Sequence, residues 1–326
     1  MHSAKQAYQD ACHHLKQAMC DLHSGSEEGV AAAKVVTNKL AQVLVDDETA
    51  GALAGLFDSS GMTERDLVHA LNVSALSMMV GQQFQLSAED LKILGIGALL
   101  HDIGELNVPQ EVLRKRAQRT PEEEHLYQQH PTLGLQSLDA FPSFPQEALR
   151  VIEFHHERTD GSGYPNQLTE EFLSLFTKIV MVIDEYDTLI NHEDPQQKLT
   201  PADALSHLYR TSRTTFAPEV ITGLIQTLSV YPPGTIVELV NGAYALVLNI
   251  NRQARMKPLV LLYTPHAGDV EPIVINLMQD RTRSIARRPP LNQLPPRVRD
   301  YLNLNRWIGH FLASVAEGGL PPSVAA

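Results

Sequence analysis

The chain has 326 residues, 43% of them hydrophobic and 20% charged, with a formal net charge of −12. That length accommodates one large domain with attachments or two domains, and the composition is that of a folding globular chain rather than a disordered or collagen-like one. The negative balance argues against wrapping a nucleic-acid polymer, whose affinity rests on Lys and Arg displacing counterions, while a small anion neutralised locally by metal stays open.

Residues 1–60 read as an N-terminal helical region. Ala, Leu, Val and Lys recur at helical spacing from Val30 to Leu44, after a polar break at Ser24-Gly25-Ser26. Its mixed faces suit packing on a core or against a second copy of the chain, and the pattern does not choose. Cys12 and Cys20 are too few for a disulfide framework or a cysteine metal site. There is no run of about 18 apolar residues and no apolar targeting segment at the start, so the expectation is a cytoplasmic protein without membrane insertion.

Residues 61–228 read as helical throughout. Thr63-x-x-Asp66, Ser87-x-x-Asp90 and Thr120-Pro121-Glu122-Glu123 resemble N-terminal boxes that satisfy orphan amides. Leu91, Leu94, Ala98 and Leu99 make an apolar stripe leading into His101, and Ile179, Val182, Ile183 and Tyr186 make another around Asp184. Residues 229–280 change to β-branched runs over 235–239, 243–250, 259–263 and 273–277, with turn residues such as Asn241-Gly242 between them, and predict a small antiparallel sheet. Residues 281–326 hold Arg281, Arg283, Arg287, Arg288, Arg297 and Arg299 among two Pro-Pro pairs, read as a solvated connector before a short helix around Trp307. The fold class is mainly α, with an N-terminal helical region and a small C-terminal antiparallel β segment.

Chemistry concentrates in a few clusters. His101-Asp102-Ile103-Gly104 closes an apolar helix, so that imidazole and carboxylate can turn toward one point while Gly104 takes positive φ. The run from His155-His156-Glu157-Arg158 through Asp160-Gly161-Ser162-Gly163-Tyr164-Pro165 is more specific, because no single structural need unites two vicinal histidines with a glycine-rich loop. Asp160 is expected to accept a histidine N–H and fix its tautomer. His69, alone on a helix rich in Leu and Met, would be a core residue; the co-occurring clusters reverse that reading.

Together, His101-Asp102-Ile103-Gly104, His130-Pro131 and the His155 to Pro165 run resemble the signature of HD-GYP phosphodiesterases over residues 64–228, with His69 upstream and Asp184 downstream in the family's order. The resemblance implies an HD-GYP-type helical bundle holding two or three divalent metal ions, often iron or manganese, on His69, His101, Asp102, His130, His155, His156 and Asp184. Such a donor set suits borderline-to-hard ions. It further implies hydrolysis of cyclic di-GMP to linear pGpG and, in some members of the family, to GMP. Asp102 would bridge the metals and Asp187 would orient or deprotonate the attacking water. Arg158, Tyr164 and Lys198 are the expected substrate contacts. A cyclic dinucleotide is the implied partner, with a homodimer or a signalling protein beside it.

This chain departs from the family pattern at several positions. Glu105 stands where a lysine follows the His-Asp pair, and Glu193 and Gln196 stand where basic residues follow the second aspartate, leaving Lys198 as a shifted candidate. Arg65, flanked by Glu64 and Asp66, occupies the place of a glutamate that accompanies three-metal members, which favours two metals. Ala217 in Phe216-Ala217-Pro218 replaces an expected aspartate. Three readings follow: a cyclic dinucleotide phosphodiesterase, a catalytically weakened relative that binds nucleotide or a protein partner, and a hydrolase of another phosphoester, since fold and metal site do not alone fix the substrate.

Overall fold

The computed structural model describes residues 4–46, 65–115, 118–192, 194, 196–211, 214–251, 254–264, 273–280 and 282–302; the expectations at Thr63, Glu64, Glu193, Arg281 and the helix around Trp307 lie outside them. The N-terminal region is a helical hairpin, α1 (Ala4–His23) and α2 (Glu27–Asp46), divided at the expected break. There Gly25 takes φ +79°, the left-handed conformation that only a residue without Cβ adopts cheaply. Leu15, Ala18 and Leu22 of α1 and Val30, Ala33 and Val36 of α2 share one buried cluster with Leu71, Ile96, Leu99, Ile103 and Leu138. The hairpin therefore packs on the core.

The helical bundle continues with α3 (Arg65–Gln83), α4 (Ala88–Leu99), a 3-10 turn (Ile103–Asn107), α5 (Gln110–Lys115), α6 (Pro121–Tyr127), α7 (His130–Asp139), α8 (Gln146–Phe154), α9 (Leu175–Ile190), α10 (Pro201–Thr211) and α11 (Pro218–Leu228). Local chemistry starts several of them. The Ser87 hydroxyl accepts from Asp90 N at α4, Thr120 and Glu123 form a reciprocal capping box at α6, and the Ser174 hydroxyl accepts from Thr177 N at α9. Ala217 occupies the N-cap of α11 and offers no side-chain acceptor, so the departure in Phe216-Ala217-Pro218 costs that helix its cap.

α3 lies between two halves of the core, which is why it is buried almost continuously from Leu67 to Gly81. Its first turns join the hairpin's cluster, while Val73, Leu76, Met78, Met79 and Val80 pack with Ile179, Val182, Ile183 and Tyr186 of α9 and Val220 and Leu224 of α11. A helix apolar on every face is stable only when surrounded. No helix among the described residues is long and apolar enough to cross a membrane.

The C-terminal sheet is antiparallel in the order β4-β3-β2-β1-β5, with β1 (Ile236–Leu239), β2 (Tyr244–Asn249), β3 (Leu259–Leu262), β4 (Val274–Asn276) and β5 (Ile285–Arg287). The Asn241-Gly242 turn joins β1 to β2 in the register Val237↔Ala245, with Gly242 at φ +80°. Side chains alternate at period two: Ile236, Leu246, Leu261 and Val274 fill one face, and Val237, Ala245, Val260 and Ile275 the other. β5 comes from the stretch read as a connector. Three of its arginines are paired, Arg283 with Asp280, Arg287 with Glu238 and Arg288 with Asp203 of α10. Leu294, Val298 and Leu302, around a short α12 (Pro296–Tyr301), cover the first face.

Leu15 is fully buried in the shared cluster, so Leu15→Ala should cost about 2–5 kcal/mol of global stability. Urea unfolding followed by circular dichroism checks this. A single transition moved to lower urea is expected; a main transition left in place would mean that the hairpin folds apart from the bundle.

Candidate metal centre

Five segments bring the chemistry-bearing side chains together. His69 sits in the second turn of α3, His101 and Asp102 between α4 and the 3-10 turn, His130 at the start of α7, His155 and His156 just past α8, and Asp184 within α9. Gly104 is needed here for space. A Cβ at that position would lie 1.9 Å from the His130 carbonyl oxygen, and Gly104 does not take the positive φ expected of it. The 3-10 turn can thus touch α7, which sets Asp102 beside His130.

The seven expected ligands form two adjacent groups, Asp102 with His130, His155 and His156, and His69 with His101 and Asp184, with donor atoms in each group within 4.8 Å of one another. Asp102 faces both. Its Oδ1 lies 3.4 Å from Nε2 of His130 and 3.4 Å from Nε2 of His155, and its Oδ2 lies 3.1 Å from Nε2 of His101 and 3.9 Å from Nε2 of His69. Asp184 Oδ1 closes the second group at 3.1 Å from Nε2 of His69 and 3.9 Å from Nε2 of His101.

Orientation comes from the backbone. Nδ1 of His101 meets the Ala98 carbonyl at 2.8 Å, that of His130 the Tyr127 carbonyl at 2.8 Å, and that of His155 the Ile152 carbonyl at 2.9 Å, each three residues back. A carbonyl only accepts, so Nδ1 carries a proton in each ring and Nε2 is the atom turned into the centre. Asp160 plays no part in this. Its Oδ1 accepts from the Ser162 amide at 3.0 Å and the Ser162 hydroxyl at 2.6 Å, closing a turn within the loop.

His69 is oriented instead by Asp187, whose Oδ2 accepts from Nδ1 at 2.7 Å. The other oxygen of Asp187 accepts from Asn72 at 3.0 Å and Asn191 at 3.0 Å. Asp187 is thus buried behind His69 with both oxygens engaged, rather than facing a water in the centre. Asn72, three residues after His69, and Asn191, four after Asp187, escaped the sequence reading although their spacing puts each on its partner's helix face.

These contacts divide the electrostatics. Burial opposes charge on His69, but hydrogen bonds to Asp184 and Asp187 outweigh it and hold the imidazole well above the ordinary histidine range. His101 is likewise raised against its burial by Asp102. Burial and neighbouring histidines push His155 and His156 down, His156 the further. Asp102 and Asp184 resist burial and fall below the usual carboxylate range, led by His101 for the first and His69 for the second. A cation entering the second group therefore competes with protons, whereas His155 and His156 present neutral imidazoles.

The residues fit a metal. Nε2 of His130 and Nε2 of His155 stand 3.3 Å apart, both aimed at Asp102 Oδ1, with their protons committed elsewhere. Nε2 of His101 and of His156 are buried without a hydrogen-bond partner. Converging lone pairs are repulsive until a cation sits among them, and five imidazoles with two carboxylates match borderline-to-hard divalent ions.

Around the centre, the Tyr164 ring stacks on His156 with centroids 4.6 Å apart. Arg158 donates to the Glu157 carbonyl at 2.9 Å and pairs with Glu185 at 3.4 Å. The buried Glu157 carboxylate ties the loop by accepting from the amides of Asn166 at 2.7 Å and Leu168 at 2.9 Å. Lys198 is exposed in the turn after α9, and its side chain forms no hydrogen bond or ion pair among the described residues. Glu105 lies beside the centre, where burial and the charge of Asp102 push it up to about 7, and its neighbour Tyr127 sits under the Arg119 guanidinium at 3.5 Å.

Residues 49–220 match the family model described as HD domain. Among curated proteins, the cyclic di-GMP phosphodiesterase PA4108 of Pseudomonas aeruginosa is 28% identical over 258 residues, covering 77% of this chain and 61% of that protein. The cyclic di-GMP phosphodiesterase response regulator RpfG of Xanthomonas campestris pv. campestris is 33% identical over 155 residues, covering 47% of this chain and 41% of that protein. The chain thus spans less than two thirds of the length of these relatives. The structure of Bd1817, described as an HDG"Y"P protein from Bdellovibrio bacteriovorus, superposes with a TM-score of 0.57 at 22% identity over 68% of this chain and 70% of that one, a likeness of fold.

Because Asp187 orients His69, Asp187→Ala should weaken manganese binding about 10–100-fold while the fold persists. Calorimetric titration of metal-free protein measures this. An affinity equal to wild type would show that His69 needs no such partner.

Proposed function

The chain belongs to the HD-domain family, and on that premise we propose that it is a metal-dependent phosphodiesterase that hydrolyses a cyclic dinucleotide, cyclic di-GMP before others, to linear pGpG and onward to GMP. One observation carries the reading: Asp102 turns one oxygen to His130 and His155 and the other to His69 and His101, the arrangement of a carboxylate shared between two cations. The relatives named as cyclic di-GMP phosphodiesterases supply the substrate.

His69, His101 and Asp184 would hold one ion, and His130, His155 and His156 the other, with iron or manganese favoured by the mixed donors. Such ions, when bound, supply Lewis-acid stabilisation at phosphorus and make water acidic enough to act near neutral pH. The remaining work falls to side chains. Asp187 acts through His69, fixing its ring. Burial and the charges of Asp102 and Asp184 keep the Tyr164 hydroxyl protonated, so it donates to a phosphoryl oxygen. Arg158 offers the positive charge that position 105 lacks.

Glu105 favours a second reading. Beside Asp102, Glu105 supplies no positive charge in either protonation state and opposes an anionic substrate when ionised, which fits a weakened relative that binds the nucleotide without turning it over.

Protein purified without oxygen, assayed for bound metal and for product by chromatography, tests both. The expected outcome is two metals per chain and release of pGpG, with Asp102→Asn lowering kcat about a thousandfold or more. Glu105→Lys should raise turnover. Metal-loaded protein that leaves cyclic di-GMP and its mixed GMP-AMP analogue intact would overturn the hydrolase, and affinity without turnover would favour the second reading.

A further inference from the structure

At the edge of the metal centre lies an ion pair made by side chains outside the seven that converge there. Arg158 follows His156 by two residues, and Glu185 directly follows Asp184. Nη2 of Arg158 lies 3.4 Å from Oε2 of Glu185, the guanidinium carbon is 5.0 Å from the Phe216 ring centroid, and Nη1 donates to the Glu157 carbonyl at 2.9 Å. Both groups are near the reacting centre. The charge of Arg158 reaches Tyr164, whose ring stacks on His156, and the charge of Asp184 reaches Glu185.

The pair is held but not saturated. A guanidinium has five N–H donors, and its strong carboxylate pairs are bidentate at about 2.7–2.9 Å. Here one long contact joins side chains that keep 20% and 31% of their surface in solvent. Phe216 and the Glu157 carbonyl fix where the guanidinium sits, so it stays in place if the carboxylate leaves. A phosphodiester offers what Glu185 offers, two terminal oxygens that share one negative charge and can meet the guanidinium fork.

We propose that Glu185 is a resident stand-in for the substrate phosphate: it occupies Arg158 until a phosphodiester displaces it, and so sets the affinity of the site. The inference rests on the phosphodiesterase reading and adds a residue outside the metal-binding set. Glu185 is a positioning residue. The substrate contact belongs to Arg158, and Glu185 governs how much free energy that contact releases on binding.

Kinetics and binding of cyclic di-GMP on manganese-loaded full-length chains test it, with Glu185→Gln, Arg158→Ala and the double variant. A charge pair that keeps part of its surface in solvent is worth up to about a fivefold change in an equilibrium constant, so Glu185→Gln should lower KM and Kd by about that factor with kcat within twofold. Arg158→Ala should raise KM about tenfold or more, and in its background Glu185→Gln should have no further effect. Arg158→Lys should recover part of the affinity, since it keeps the charge without the fork. Unchanged KM and Kd in Glu185→Gln, or effects that simply add in the double variant, overturn the stand-in while leaving the phosphodiesterase intact. Wild-type protein that neither binds nor cleaves the dinucleotide overturns both.

Discussion

Nε2 of His130, Nε2 of His155 and Oδ1 of Asp102 point at one another while each ring's Nδ1 proton is held by a backbone carbonyl, and the rest of the structure arranges and endures that confrontation. Left alone it is unfavourable, because three electron-rich atoms are packed where water is largely excluded. The fold meets the cost by committing each imidazole proton to a carbonyl three residues earlier in its own chain. The tautomers are thereby settled during folding, and the donors are ready before any cation arrives.

Holding the arrangement requires helices that cannot drift. α3 is the axis. Its flanks belong to both halves of the core, so His69 is carried by a helix buried along most of its length, and Asp187 ties it to α9 through a carboxylate that Asn72 and Asn191 also hold. A fully satisfied buried network of this kind rigidifies its surroundings. The loop that follows His156 is braced in the same way by Glu157, which supplies acceptors for two backbone amides that would otherwise be orphaned.

Much of this was legible in residue order, and what was not had physical causes. Helix starts at Ser87 and Thr120 were readable because a cap is a contact between residues three apart. The seven converging side chains were readable because their motifs are local and their order resembles a known family. Features fixed by distant contacts were not. Residue order suggests positive φ for Gly104, whereas it makes room for the His130 carbonyl from α7; it suggests a histidine partner for Asp160, whereas that carboxylate folds back on Ser162. β5 hid among arginines because its edge position and three residues leave little alternation to detect. Glu185 and Arg158 are 27 apart, and nothing in either stretch announces the other. Asp187 was noticed at helical spacing from Asp184, but which neighbour it would serve depended on α3.

The contact between the 3-10 turn and α7 has an evolutionary reach beyond its size. Where backbone meets backbone with no carbon to spare, the separation of Asp102 from His130 is written as an omission, and no repacking of neighbours compensates for filling it. Change elsewhere in the bundle is absorbed by side chains that slide and rotate. At this seam one additional methyl group becomes a displacement of the whole helix, so the gauge of the centre is kept by the smallest residue the code provides.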